Sequence, residues 1–256
     1  MRSQRKHKSF KALDQHSAGK KEYVETREDY LVKGYNGLES AVIISDEFGS
    51  LWGRPKSLER GKVKSILSTL NERGISYAII GGIAMGQHAL PRTTHDLDIL
   101  VAKKDIGTVR KIFKKYYKGG STIVQIYDVD GTRLDVLPAD LRHRIAALEH
   151  ALDSTLEGVP IKVVDVRSLL ILKILAVPER TDLGKKRSDE ADITELLKYG
   201  KDTLTKKDID YVAKSVLAMG YTKKDVRKYH EMIQWLNETL ELLDLGSLKY
   251  PLEELP

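Results

Sequence analysis

The stretch Ile79–Val101 reads IIGGIAMGQHALPRTTHDLDILV. Its first half predicts a short buried strand, about 76–80, followed by the glycine pair Gly81–Gly82 and a short helix over about 83–89. Backbone N–H groups at the start of a helix attract anions, and a glycine lets a ligand approach the main chain without a Cβ in the way. The glycine pair is therefore a candidate phosphate-binding turn, and its alternative is an ordinary Gly-Gly turn.

The second half of the stretch alternates polar and apolar residues, which predicts a strand over about 96–102. Asp96 and Asp98 leave the same face of that strand, whereas the apolar residues between and after them point into the core. Two neighbouring carboxylates repel each other unless a cation lies between them. Arg92, four residues earlier, offers a fork of donors that suits phosphate oxygens. The alternative is a half-buried strand with a polar outer face.

A third carboxylate lies in a later strand-like run, TRLDVL, which contains Asp135. This run is the second arm of a predicted hairpin whose two-residue turn is Asp130–Gly131. Such a turn sets Asp128 opposite Arg133, and we expect a cross-strand ion pair between them. Asp135 then has no evident partner, which makes it a candidate third member of the acidic cluster.

Taken together, these residues resemble the nucleotidyltransferase superfamily related to DNA polymerase β. The chain is most similar to the AbiEii-type toxin nucleotidyltransferases and their uncharacterised relatives, in which Arg-x-Thr-x-Asp-x-Asp recurs. In this sequence that pattern is Arg92, Thr94, Asp96 and Asp98. The relatives also carry a helix with a phosphate-contacting lysine and a later basic and acidic segment, which here correspond to Lys173 and to Arg187, Asp189 and Asp192. Many superfamily members have Gly-Ser where this chain has Gly81–Gly82.

The resemblance implies an α/β (α+β) fold, with a small mixed sheet flanked by helices and a helical C-terminal region. It implies a magnesium-dependent nucleotidyltransferase that moves a nucleoside monophosphate from a nucleoside triphosphate (NTP) such as ATP to an acceptor hydroxyl on RNA, tRNA or protein. A role as the toxin of a toxin–antitoxin-like system, with an antitoxin partner, is a further implication. The alternative is a catalytically silent nucleotide-binding or regulatory protein of the same fold.

The same resemblance assigns expected roles to individual residues. Asp96, Asp98 and Asp135 would be the catalytic residues and would hold two Mg²⁺ ions. The expected nucleotide-binding residues are Gly81, Gly82, Arg92, Thr94 and Lys173, and the expected supporting residues are Arg187, Asp189 and Asp192.

Composition excludes several other classes of site. The chain has no cysteine, so disulfides and thiolate metal sites are excluded, and its seven histidines show no zinc-like spacing. No apolar run approaches the roughly 20 residues that a membrane span needs. We therefore expect a cytoplasmic protein without a membrane partner.

The positive charge is concentrated at the N-terminus. Residues 1–21 carry seven basic residues and one acidic residue, whereas the remaining chain carries 36 of each. This tail is a candidate contact for an RNA acceptor, and its alternative is a solvated, mobile terminus.

Four segments are predicted: a basic, disordered tail at 1–21, an N-terminal extension at 22–55, a nucleotidyltransferase core at 56–200 and a helical region at 201–256. Hydrophobic periodicity and capping signals predict helices over about 56–73, 105–117 (capped by Asp105), part of 138–160, 167–177, 188–197 (capped by Ser188), 206–218 and 223–243. A turn is predicted at Gly119–Gly120, a strand at 161–166 and a polar loop at 181–186.

Overall fold

The structure, a computed structural model, describes residues 28, 31–32, 34–51, 58–200 and 203–248, and the predicted basic tail at 1–21 lies outside this range. In the described residues, seven strands form one sheet in the order β3-β4-β5-β2-β1-β7-β6. The strands are β1 (Tyr77–Ile79), β2 (Leu97–Ala102), β3 (Tyr117–Gly120), β4 (Gln125–Val129), β5 (Thr132–Ala139), β6 (Leu152–Leu156) and β7 (Val159–Val163). The sheet is mixed, because β2 pairs with β5 and β1 pairs with β7 in parallel, while the other neighbours are antiparallel.

Nine α-helices surround this sheet in the described part of the chain. They are α1 (Gly37–Leu51), α2 (Arg60–Glu72), α3 (Gly81–His88), α4 (Ile106–Ile112), α5 (Arg142–Glu149), α6 (Val166–Ala176), α7 (Leu183–Gly200), α8 (Lys206–Leu217) and α9 (Lys223–Leu242). Apolar side chains from the sheet and the helices form a continuous core. The predicted fold class, a mixed sheet flanked by helices with a helical C-terminal region, is confirmed.

Helices from the segments on either side of the predicted core pack against it. In α1, Leu38, Ala41 and Val42 are fully buried, and a Cβ added to Gly86 of α3 would lie 2.0 Å from the Gly37 carbonyl oxygen. The backbones of α1 and α3 therefore meet closely. Helices α8 and α9 add their apolar faces to the same core. The segment boundaries after residues 55 and 200 stay predictions.

Local signals located several elements well. The hairpin turn lies at Asp130–Gly131, where both residues have positive φ, as a type I′ turn requires. The last two predicted helices are also present, and each follows a threonine cap: the hydroxyls of Thr205 and Thr222 accept backbone N–H groups from their helices. Each helix ends within one residue of its predicted end.

The predicted helix capped by Asp105 is shorter and has no such cap. A 3₁₀ turn at Lys103–Asp105 precedes α4, and a second 3₁₀ turn leads into β3. The Asp105 carboxylate instead accepts the backbone N–H of Ser76 at 3.0 Å, so it fixes the start of β1. Gly119 and Gly120 belong to β3, and the turn expected there is formed by the residues that follow.

The helical stretch predicted within 138–160 ends earlier than expected, because α5 stops at Glu149 and a hairpin follows it. Its strands, β6 and β7, are joined by Glu157 and Gly158, which both have positive φ. A Glu-Gly pair is a weaker turn signal than Asn-Gly or Asp-Gly, and Leu152 fitted the helical period although it begins β6 and is 45% exposed. The strand predicted at 161–166 is β7, which starts and ends earlier.

The polar loop expected at 181–186 is the first part of α7. The Asp182 carboxylate accepts the backbone N–H of Lys185 at 2.8 Å, so the cap lies six residues before Ser188. Ser188 is therefore inside the helix. Both residues are good N-caps, and the polar residues after Asp182 show no apolar period that would indicate the earlier start.

Candidate metal and nucleotide site

Three carboxylates meet at the junction of β2 and β5. Asp98 and Asp135 are direct neighbours in the parallel pairing of the two strands, and Asp96 immediately precedes β2. One oxygen from each of the three side chains lies within 4.8 Å of the others. Magnesium prefers such oxygen ligands, and two-metal sites place their ions about 3.5–4 Å apart. The donor set therefore fits divalent cations of the expected kind.

The glycine turn touches this cluster. Gly81 has φ +67°, and a Cβ added to it would lie 2.0 Å from Oδ2 of Asp98. A Cβ added to Gly82 would lie 2.5 Å from Oγ1 of Thr94. Ile80, the residue before α3, has no side-chain acceptor for the first N–H groups of the helix. The glycines thus leave room for two site residues, in addition to presenting backbone donors.

Thr94 orients one of the carboxylates. Its buried hydroxyl donates to Oδ1 of Asp96 at 3.1 Å, while its backbone N–H donates to the hydroxyl of Ser45 at 2.8 Å. Ser45 lies on α1 and was not singled out from the sequence, because nothing in the short apolar run around it indicates a contact with a distant loop. Helix α1 therefore helps to hold Thr94, and through it the Asp96 carboxylate, in position.

The two expected phosphate-binding cations are held by aspartates. Arg92 donates to both oxygens of Asp192 at 2.7 Å, and Nζ of Lys173 lies 2.6 Å from Asp192 and 2.8 Å from Asp189. Arg180 donates to the second oxygen of Asp189 at 2.8 Å. These pairs link α6 and α7 to the segment before β2.

The ionisation of this network follows from its contacts. Burial alone would lower the pKa of Lys173, but Asp192 and Asp189 raise it above its usual range. Burial likewise would raise the pKa of Asp192, but Lys173 and Arg92 lower it. Lys173 and Asp192 are therefore both charged near neutral pH. Arg187, expected to belong to the same group, is exposed and forms no ion pair with either aspartate in the described structure.

Asp98 has a different environment. Its burial, followed by the charges of Asp96 and Asp135, raises its pKa well above the ordinary value, and Lys173 and Arg133 only partly oppose this. Asp98 is therefore reluctant to ionise beside two other carboxylates. The arrangement has excess negative potential, which a divalent cation would relieve.

Arg133 has a partner other than the expected one. The register does place Asp128 opposite Arg133, but the guanidinium donates to both oxygens of Asp135, at 2.8 and 2.7 Å. It also lies 4.0 Å from Oδ2 of Asp96, whereas Asp128 lies 3.8 Å from Lys118. The predicted ion pair is wrong, and so is the expectation that Asp135 lacks a partner. Residues two apart on a strand share a face, so Arg-x-Asp was the available signal.

In the described residues, no helix is long and apolar enough to cross a membrane.

Comparisons with known proteins gave matches among solved structures only, since no protein-family model and no curated protein sequence matches the chain. An antigenic nucleotidyltransferase-like protein from Paracoccidioides brasiliensis shares 19% identity over 75% of this chain and 94% of its own, with a TM-score of 0.47. The enzyme ANT(2'')-Ia, solved with adenylyl-2''-tobramycin, shares 13% identity over 62% of this chain and 97% of its own, with a TM-score of 0.47. The lincosamide antibiotic adenylyltransferase LnuA shares 15% identity over 54% of this chain and 96% of its own, with a TM-score of 0.40. These three solved structures are a nucleotidyltransferase-like protein, an antibiotic-resistance factor and an antibiotic adenylyltransferase.

Proposed function

We propose that this protein is a magnesium-dependent nucleotidyltransferase that moves a nucleoside monophosphate from an NTP to an acceptor hydroxyl. One observation carries the proposal: the carboxylates of Asp96, Asp98 and Asp135 converge within 4.8 Å, next to a glycine turn at the start of α3. Hard-cation ligands beside backbone donors for phosphate are what the transfer of a phosphoryl-linked group requires.

The three aspartates would hold two Mg²⁺ ions. When bound, the ions would lower the pKa of the attacking hydroxyl and stabilise the departing pyrophosphate. In the reaction, the acceptor oxygen forms a bond to the α-phosphorus, the bond from that phosphorus to the bridging oxygen breaks, and pyrophosphate leaves. Asp135 serves as a metal ligand or as the base that takes the acceptor proton, and Thr94 keeps the Asp96 carboxylate in position.

Backbone and side-chain donors would bind the triphosphate. The N–H groups of Gly81 and Gly82 donate to its oxygens. Arg92 is the better placed of the two cations for direct contact, because its side chain is 35% exposed while that of Lys173 is 10% exposed. Lys173 acts at longer range, through the positive charge that remains in its network. Removing a preorganised donor of this kind typically costs about 10² in rate.

The finer identity of the reaction rests on the sequence resemblance. In this proposal the acceptor is RNA, tRNA or a protein in the cytoplasm, and the protein acts as the toxin of a toxin–antitoxin-like pair. The basic tail at 1–21 supplies contacts to an RNA acceptor. Arg187, Asp189 and Asp192 support the nucleotide site, with the two aspartates orienting the cations.

A second candidate function is a catalytically silent nucleotide-binding or regulatory protein. The observation that favours it is the guanidinium of Arg133 on both oxygens of Asp135, because a resident cation at that carboxylate could replace a metal permanently. A silent protein would bind NTP without transferring any part of it.

A transfer assay separates the two candidates. Purified protein is incubated with each NTP labelled at the α-phosphate, with Mg²⁺, and with total cellular RNA or protein. The wild type should label an acceptor, and Asp98→Asn should lower the transfer rate by about 10² or more. Because Asp98 is reluctant to ionise, its neutral isostere should retain the free energy of unfolding. Asp153→Asn, a matched change at a side chain that is 90% exposed on β6, is the control. Transfer by Asp98→Asn at the wild-type rate would refute the proposal.

A further inference from the structure

The unexpected ion pair of Arg133 lies within the candidate metal site. Both side chains project from the same face of β5, and the guanidinium fork matches the carboxylate of Asp135 with two hydrogen bonds of 2.8 and 2.7 Å. Paired bonds of this kind are among the strongest that proteins form. Both oxygens that Asp135 could offer to a metal are therefore already engaged.

Arg133 is also the only lysine or arginine in the described residues that forms an ion pair with this carboxylate cluster. The neighbouring cations are committed elsewhere, since Arg92 and Lys173 are held by the aspartates of α7. Arg133 lies within 4.0 Å of Asp96 as well. One guanidinium thus offsets part of the charge of three carboxylates.

We propose that Arg133 is a resident counter-ion that occupies Asp135 until a divalent cation displaces it. This inference rests on the metal site of the proposed function. A carboxylate cannot keep two hydrogen bonds to a guanidinium and also give an oxygen to a metal at full strength, so metal and guanidinium compete for Asp135. Because of this competition, the protein binds a divalent cation less tightly than its three carboxylates would bind one without Arg133.

The structure offers a place for the displaced guanidinium. Asp128 lies directly opposite Arg133 on β4, on the same face of the sheet. Its Oδ1 accepts the backbone N–H of Gly131 at 2.8 Å, whereas its Oδ2 lies 3.8 Å from Lys118. The Arg133 side chain is 41% exposed, so it can turn without unpacking the core. Released from Asp135, it would turn towards β4, on the side of the triad away from β1 and the glycine turn. Arg133 is thus a positioning residue, whose guanidinium moves from the Asp135 carboxylate to the Asp128 carboxylate when the metal binds.

Binding of Mn²⁺, a paramagnetic substitute for Mg²⁺, tests this competition without any transfer reaction. Mn²⁺ is titrated into the full chain and into three variants, and electron paramagnetic resonance measures the ion that stays free. Arg133→Gln removes both the charge and the fork, Arg133→Lys keeps the charge but cannot form the paired bonds, and Arg227→Gln, the control, breaks an exposed arginine–carboxylate pair on α9. Thermal unfolding without metal verifies that each variant folds.

We expect Arg133→Gln to bind Mn²⁺ roughly tenfold more tightly than the wild type, because a charge-assisted pair no longer has to be broken. Arg133→Lys should bind several-fold more tightly, and Arg227→Gln should match the wild type. Equal affinity of Arg133→Lys and wild type would overturn the inference, since long-range charge alone would then explain any gain in Arg133→Gln. If Arg133→Gln does not fold, the lysine variant decides.

Weaker Mn²⁺ binding in both Arg133 variants would also overturn it, because Arg133 would then hold Asp135 ready for the metal. If neither the wild type nor a variant binds Mn²⁺, this inference and the metal-dependent part of the proposed function fail together. A protein that binds Mn²⁺ in the expected order but transfers no nucleotide would fail the proposed function alone.

Discussion

A methyl group added to Gly81 should damage the site more than it damages the fold. Gly81 and Gly74 both have positive φ, +67° and +62°, a conformation that costs a residue with a Cβ roughly 1–2 kcal/mol. Nothing lies within 4 Å of a Cβ added at Gly74. Gly74→Ala is therefore a matched control that has the backbone cost and nothing else.

At Gly81 the added Cβ would lie 2.0 Å from Oδ2, 2.7 Å from Cγ and 2.8 Å from Cβ of Asp98. Turning the carboxylate is not enough to relieve these contacts, because the Asp98 Cβ is itself too close. The side chain must move by about 1 Å to reach a normal separation, and a displacement of this size in a reacting group can cost about 10² in rate. Gly81→Ala should therefore lose most transfer activity and bind Mn²⁺ more weakly.

The two alanine variants are compared by urea unfolding, Mn²⁺ titration and the transfer assay. Both should lose roughly 1–2 kcal/mol of unfolding free energy, with an additional loss in Gly81→Ala from the displaced aspartate. Only Gly81→Ala should lose metal affinity and transfer. Matching results for the two variants in all three measurements would refute the reasoning, because Asp98 would then be free to adapt.

Other expected outcomes concern a buried ion pair, a histidine and the tail. Lys173→Met leaves two buried carboxylates without their shared cation and should lower the free energy of unfolding by about 3–5 kcal/mol; unchanged stability in urea would contradict the buried network. Burial, assisted by Arg144, lowers the pKa of His143 from 6.5 to about 4. The unfolded chain therefore binds the proton more readily between these values, and stability should fall by up to about 3 kcal/mol as the pH drops through that window. His143→Gln should lose this part of the pH dependence in urea unfolding, and an unaltered profile would count against it. Deleting residues 1–21 should weaken RNA binding and reduce the slope of log affinity against log salt by roughly 0.7–0.9 per lost contact, while NTP binding is preserved. An unchanged slope would show that the tail makes no contact with RNA.

The elements around the acidic cluster could be predicted because their signals are local and agree with one another. Alternation around Asp96 and Asp98 indicates a strand with one polar face, and Asp130–Gly131 is a strong turn signal. The hairpin at Glu157–Gly158 was missed because its residues carry a weak turn signal and the flanking leucines also fit a helix. Periodicity alone does not separate the two when an apolar run is short.

The partners of charged side chains were harder to predict than their positions. From the sequence, Arg133 could pair across the ladder with Asp128 or along its own strand with Asp135, and both lie on the same face. The choice depends on the negative charge that Asp96 adds from the neighbouring strand, which only the folded sheet brings near. The link between Thr94 and Ser45 was likewise out of reach, because the two residues lie in segments that meet only after α1 packs on the sheet.

The parallel pairing of β2 with β5 has a consequence for how this chain can diversify. The separation of Asp98 and Asp135 is set by strand register, and a slip of one residue would turn one carboxylate to the opposite face. The intervening segment, 103–131, contains α4 and the β3–β4 hairpin but none of the three acids. Insertions or deletions in its exposed turns can therefore reshape the surface beside the triad while the spacing of the carboxylates is preserved. A library of loop variants in this segment would therefore vary the surface beside the triad without altering the register that holds its carboxylates.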